Sequence, residues 1–262
     1  NWLNDELNVN FIKPLGFIKE YNAIITERCY GKHFFKILRR HDLKKRFHKK
    51  LDATNNILSR LGNALSRFHH TSIKECTFDI DNTIKKVESY CSQLESFGVS
   101  KVFIDKIKLN IRIMKGSCLN TYITDNTLKG FDVRQVFIDK EGTVFLLDPG
   151  KIKKDYAEMD LARFITTCRI LYWGTLRFFL LLTPNFSYEQ SFLNGYYGLS
   201  KRPEHVLNIL TIKELLKHWR MAHTVIRLKP WPIIFKTFIK KIYVDKFYKK
   251  QINAELSKLL LK

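Results

Sequence analysis

The stretch LKGFDVRQVFIDKEGTVFLLDPGKIKKDYAEMDLARF, from Leu128 to Phe164, alternates turn chemistry with β-rich runs and closes on a helix. Val136–Asp139 is a short apolar run. Lys140, Glu141 and Gly142 supply a tight turn, with glycine free to take positive φ. Thr143–Leu147 is rich in β-formers, and Asp148-Pro149-Gly150 ends it at once. The expected order is loop, strand, turn, strand, loop and helix. A carboxylate at the end of a buried strand, followed by Pro-Gly, is held where a metal-phosphate site needs it.

Outward from this hairpin the chain reads as mostly helical. Phe11–Phe17 and Asn22–Arg28 are expected strands, and His33–Arg40 is expected to start a helix. Leu51–Phe68 places Leu51, Ile57, Leu58, Leu61, Leu65 and Phe68 near a 3.6 period. Thr71–Phe78 reads as a loop. Asp81 or Asn82 is expected to cap a helix running to Phe97 and stopped by Gly98, and Ser100 the next, to about Met114. Beyond the hairpin, helices are expected over Glu158–Leu182, Tyr188–Tyr197, Pro203–Leu210, Ile212–Arg227 and Ile233–Lys250. One hairpin among many helices does not suggest a Rossmann or TIM architecture, which needs alternating βαβ units. The fold class is α+β.

The pattern resembles the aminoglycoside phosphotransferase and choline kinase branch of the protein-kinase-like fold. That family carries a catalytic loop H-G-D-F-x-x-x-N, then a hairpin, then a metal-binding Asp at the end of its second strand, then a D-L-A-R helix. Phe131 matches the Phe, Asp148 the metal Asp, and Asp160-Leu161-Ala162-Arg163 the helix. Tyr21–Gly31 resembles the hinge strand, whose backbone contacts adenine, which makes Glu27, Arg28 and Cys29 the candidate nucleotide contacts. Leu61–His69 resembles the helix before the catalytic loop. The likeness covers roughly residues 10 to 200. It implies a remnant of the small lobe and the hinge over residues 1–30, and a mostly helical large lobe over 31–262.

The departures matter as much. Aligned on Phe131, H-G-D becomes Leu128-Lys129-Gly130, so the catalytic Asp is a Gly. The Asn that helps hold metal becomes Gln135. In phosphoryl transfer the loop Asp accepts the substrate hydroxyl's hydrogen bond while the Asn and the strand-end Asp hold metal ions. Gly130 cannot do the first. Gln135 keeps a carbonyl oxygen for the second, one methylene further out, and a displacement of about 1 Å at such a site costs around a hundredfold in rate. Asp148 and Gln135 are therefore the candidate metal ligands. Asp132, two residues past the lost base, is the candidate replacement base; its plainer reading is a solvent-facing loop acid. Arg134 reads likewise as a solvated loop residue. Asp160 reads as support for the loop and for its own helix dipole. No Gly-rich loop or phosphate-binding Lys is recognisable in residues 1–20, and the chain starts with Asn, as a fragment or truncated gene product would. The resemblance implies ATP and Mg as cofactors, bound weakly or not at all.

Composition narrows the alternatives. Apolar residues make up 45% of 262, enough for a sizeable core. Five Cys, at 29, 76, 91, 118 and 168, form no C-x-x-C, so reduced cytoplasmic thiols are expected rather than a disulfide framework or zinc site. His69-His70 cannot face one ligand together. Neither Ser-His-Asp nor Cys-His catalysis has a local signature. Net charge is +21, and Lys201–Lys262 holds fifteen Lys/Arg against four Asp/Glu. Such a surface suits nucleic acid, anionic lipid or anionic substrates, although no nucleic-acid-reading motif accompanies it. Ile233–Lys250 interleaves aromatics with lysines. It reads as a helix packing its aromatic stripe inward, with an anionic membrane surface as the alternative partner. Leu161–Leu182 carries Arg163, Arg169 and Arg177, which argues for a buried helix over a membrane span.

Three functions follow as expectations. The first is a kinase-fold protein with a degraded site, a pseudokinase or truncated phosphotransferase. The second is an active small-molecule kinase, acting on a sugar or lipid hydroxyl with a rewired loop. The third is a basic docking module for membrane or nucleic acid. If the alignment holds, Gly130, Gln135 and Asp148 converge on one cleft with Glu27–Cys29 opposite.

Overall fold

The computed structural model describes residues 9–43, 48–117, 119–147, 152–173 and 187–260. Asp148 lies outside these. Along the chain the strands are β1 Val9–Phe11, β2 Pro14–Ile18, β3 Ala23–Thr26 and β4 Lys32–His33, followed by helices α1 Phe34–Leu43 and α2 His48–His70. Next come β5 Lys74–Thr77, α3 Ile80–Ser96, α4 Lys101–Ile113 and β6 Asn120–Leu128. The hairpin β7 Val136–Ile138 and β8 Val144–Leu146 leads to β9 Ile152–Tyr156 and α5 Glu158–Trp173. The rest is helical: α6 Ser187–Tyr197, α7 Glu204–Leu228, α8 Ile233–Phe238, a π-helical stretch Ile239–Asp245, and α9 Lys246–Leu260. This is a mixed α+β chain with small sheets, as the sequence pattern implies. Among the described residues no helix is long and apolar enough to cross a membrane.

The chain forms two compact units, one of Asn1–Lys74 with Ile123–Arg202, the other of Glu75–Tyr122 with Pro203–Lys262. In the first, four strands form a sheet in the order β1-β8-β7-β4. β7 and β8 pair antiparallel with Phe137 opposite Phe145, and β1 runs parallel to β8. The turn is closed as its sequence suggests. Asp139 N–H donates to Thr143 O, Thr143 N–H donates to Asp139 Oδ1 at 2.7 Å, and Gly142 takes φ +83°. β2 and β3 form a separate two-stranded hairpin whose Leu15, Phe17, Ile24 and Ile25 are all exposed. Helix α2 buries Leu58, Leu61, Leu65 and Phe68 on one stripe. It crosses α6 so closely that a Cβ on Gly62 would stand 2.1 Å from Phe192 O, and one on Gly195 2.0 Å from Ser59 O.

The second unit is built on α7, whose residues Val206–Leu216 are all buried. At its centre Trp219 is fully buried and donates to Asp245 Oδ1 at 2.8 Å, an oxygen that also lies 2.7 Å from His223 Nε2. Tyr248 of α9 stacks on Trp219 with ring centroids 5.8 Å apart. Helices α3 and α4 contribute Val87, Cys91, Leu94, Ile104 and Ile107.

Four local expectations need correction. Helix α7 is continuous where two helices were expected about Thr211; that hydroxyl donates back to Leu207 O at 2.8 Å. A helix buried all round has no polar stripe to report its period. The cap of α3 is Asp79, not Asp81 or Asn82, its Oδ1 accepting Asn82 N–H at 3.0 Å. The expected loop Thr71–Phe78 contains β5, and β6 and β9 stand where no strand was expected. Finally, of the stripe expected to pack inward, Phe235, Phe238 and Ile242 remain about half exposed, and burial falls instead on Phe247 and Tyr248 further along.

Candidate active site

The loop between β6 and β7 is held at both ends and in the middle, all within the first unit. At its start, buried Leu128 is clamped through both backbone groups. Its N–H donates to Asp160 Oδ2 at 2.6 Å, and its C=O accepts from Arg163 NH1 at 3.1 Å. Asp160, wholly buried near the start of α5, binds Arg163 through Oδ1 at 2.8 Å and lies 3.2 Å from His69 Nε2. His69 is also buried, with Nδ1 2.7 Å from the Tyr196 hydroxyl. A carboxylate in low dielectric is tolerable only when its oxygens are bonded and its charge paired. Asp160 satisfies both conditions, and its role as support for the loop follows.

In the middle, Phe131 is 2% exposed and stacks against Phe164 and Phe192 at 5.2 and 6.3 Å. Asp132 caps the single 3-10 turn Val133–Gln135, with Oδ1 accepting Arg134 N–H at 2.6 Å. Its carboxylate also takes the Arg134 guanidinium, Nε lying 2.9 Å from Oδ2. That hydrogen bonding, opposed by burial and helped by the opposite charge, raises the Arg134 pKa above its ordinary value. Val133 N–H reaches Thr167 Oγ1 at 3.4 Å. Asp132 is thus buried rather than solvent-facing, and both its oxygens are engaged by its own neighbour. Arg134 is exposed but paired rather than merely solvated.

At the far end, Leu147 N–H donates to Gln135 O at 2.9 Å. This backbone bond sets Gln135 opposite the residue before Asp148. An amide oxygen and a carboxylate are the right donor chemistry for Mg²⁺, which is held by one or two carboxylates beside substrate phosphates and water. Among the described residues no group of three or more His, Cys, Asp or Glu is arranged to hold a metal.

The expected hinge follows β3. Glu27 closes the β2–β3 hairpin, its Oε1 accepting Lys13 N–H at 2.8 Å and its own N–H donating to Lys13 O. Arg28 places its guanidinium 4.6 Å from the Tyr30 ring centroid. Cys29 is partly buried; burial raises its pKa first, and the nearby Asp139 and Glu27 charges add to that. Just beyond, β4 pairs antiparallel with β7, and a Cβ on Gly31 would lie 2.8 Å from Ile138 O. Residues 31–33 therefore lie against the β7–β8 hairpin on its β7 side. A separate polar cavity of about 490 Å³, lined by Asn55, Asn56, Ser59, Arg60, Ser191 and Asn194, contains none of these residues.

Sequence reasoning missed the clamp partners Tyr196 and Thr167, and read His69 with His70 only as a pair that cannot face one ligand. His69 stands 91 positions from Asp160 and 127 from Tyr196, so no local pattern links them.

No protein-family profile matches this sequence, and no curated protein matches it. Solved structures do. A choline/ethanolamine kinase family protein from Mesorhizobium loti aligns with TM-score 0.55 at 11% identity, over 96% of this chain and 80% of that one. Choline kinase LicA from Streptococcus pneumoniae aligns with TM-score 0.53 at 11% identity, over 94% and 74%. A glucosamine kinase aligns with TM-score 0.55 at 10% identity, over 95% and 66%. LicA has been solved with AMP, and glucosamine kinase with glucosamine, ADP and inorganic phosphate. At such identities the likeness speaks for the fold, and the chain has the protein-kinase-like fold shared by these small-molecule kinases.

Proposed function

We propose that this chain is a kinase-fold protein of the phosphotransferase type whose chemistry is degraded, leaving at most weak nucleotide binding. The observation that carries the reading is the loop itself. It is held firmly at Leu128, Phe131 and Gln135, yet the position of the base is Gly130, and the next carboxylate along the loop, Asp132, is spent on Arg134. A relocated base would have to give up its cap and its ion pair before accepting a proton. The backbone of Glu27–Cys29 is the proposed adenine contact, and Asp148 with Gln135 the proposed metal ligands. When bound, Mg²⁺ would neutralise phosphate charge. Among the described residues, Gly130 stands where the base would be and Asp132 is held by Arg134.

A second reading keeps an active kinase. It is favoured by the retained Asp160–Leu128 clamp, and by neighbours that act on choline and glucosamine. Calorimetric titration with MgATP and MgADP separates the two. The degraded site predicts dissociation constants near the millimolar range, about 4 kcal/mol of binding, weakened further by Asp148→Ala. Micromolar affinity that depends on Asp148 would favour the active reading.

A further inference from the structure

From the residue after Glu214 to the residue before Asp245 the chain has no acid and seven Lys or Arg. The structure makes this interval unusual in a second way. The last turns of α7 leave Met221, Val225 and Leu228 exposed by 44, 51 and 75%, at i, i+4 and i+7 on one stripe. Pro230-Trp231-Pro232 then leads into α8, where Ile233 and Ile234 are 81 and 86% exposed and Phe235 and Phe238 45 and 47%. Ile242 continues the run at 51%.

The segment is fixed in this attitude. Lys236 Nζ donates to Arg227 O at 3.0 Å, tying α8 to the end of α7, and Lys240 Nζ donates to Phe97 O. Asp245, the acid that ends the interval, is buried and engaged by Trp219 and His223, so it offers no negative charge outward. Arg227, Lys229 and Lys241 are exposed among the apolar side chains.

Large apolar side chains exposed in succession mark an interaction surface. Nucleic acid would use the lysines but not the isoleucines. An apolar protein partner would use the isoleucines without requiring the absence of acids. An anionic bilayer uses both: apolar side chains enter the headgroup boundary, and each nearby Lys or Arg gains from the surface potential. We propose that Met221–Ile242 docks this chain onto anionic lipid bilayers, with Trp231, Ile233 and Ile234 inserting and Arg227, Lys229 and Lys241 meeting the headgroups. The inference stands apart from the nucleotide site.

The test is co-sedimentation of the full chain with phosphatidylcholine vesicles, with and without phosphatidylserine, at two salt concentrations. The expected result is binding that needs phosphatidylserine and weakens as salt rises. Lys229→Gln with Lys241→Gln should weaken it roughly tenfold or more, since each basic residue near the surface contributes about fivefold. Ile233→Asp with Ile234→Asp should weaken it at least about tenfold, with an unchanged melting temperature because both side chains are already in water. No vesicle binding at low salt, binding unaffected by the Asp pair, or equal binding to pure phosphatidylcholine would each overturn the proposal. So would duplex DNA displacing the chain from vesicles at equal charge concentration, which would reassign the patch to nucleic acid.

Discussion

Removing the Asp160 carboxylate should unfasten the loop between β6 and β7. Asp160→Ala deletes the acceptor of Leu128 N–H, the ion-pair partner of Arg163 and the contact of His69 in one step. Leu128 and His69 are buried, and the Arg163 side chain is only 12% exposed. An orphaned buried N–H costs about 1–3 kcal/mol. Breaking a buried ion pair from one side costs about 3–5 kcal/mol. The two share one side chain and do not add, and Arg163 retains Leu128 O, so the expected loss is about 3–5 kcal/mol. Asp160→Asn keeps an acceptor for Leu128 and loses the charge, so it should cost less, about 1–3 kcal/mol. With two compact units in the chain a single transition is a poor readout. Hydrogen exchange resolved by peptide is better. Protection of the Leu128 amide should fall by about 10² to 5 × 10³ in Asp160→Ala, while α7 peptides of the second unit stay unchanged. Protection within about twofold of the parent at Leu128 would refute the clamp.

Two further outcomes follow from the packing. Gly62→Ala or Gly195→Ala should cost about 1–3 kcal/mol or more, because the added Cβ meets backbone that only a helix shift can move; Gly116→Ala, with open space around its Cβ, is the control in urea titrations. Cys91, whose pKa burial pushes up to about 12, stays almost wholly protonated at neutral pH. Since the thiolate is the nucleophile, alkylation of Cys91 followed by mass spectrometry should be negligible in the folded chain, rise only as the pH nears 12, and become ordinary in denaturant.

What the sequence disclosed and what it hid have physical causes. The β7–β8 hairpin was legible because its turn chemistry is local: Asp139, Gly142 and Thr143 close it among themselves. α2 was legible because one face alone is buried, so its period survives. β6 was hidden by its composition. Asn120–Leu128 carries Asn120, Asp125 and Asn126, residue types depleted in strands, yet Thr124 and Thr127 are wholly buried, their hydroxyls bonded to His69 O and Lys153 O. The exposed aromatics of α8 were misread because an amphipathic pattern does not say what will cover its apolar face. At the candidate site, Phe131 and the Asp160 helix could be placed only through the resemblance to the kinase-like family's loop and helix motifs. The environment of Asp132 could not, because whether a loop acid faces water depends on how Arg134 folds back, which spacing does not encode.

The most direct test is transfer of labelled γ-phosphate from ATP, with Mg²⁺, to choline, glucosamine and an aminoglycoside. On the proposed reading, no acceptor-dependent transfer rises above the no-enzyme background, because Gly130 stands at the position of the base and Asp132 is engaged by Arg134. Acceptor-dependent turnover that disappears in Asp148→Ala would contradict it.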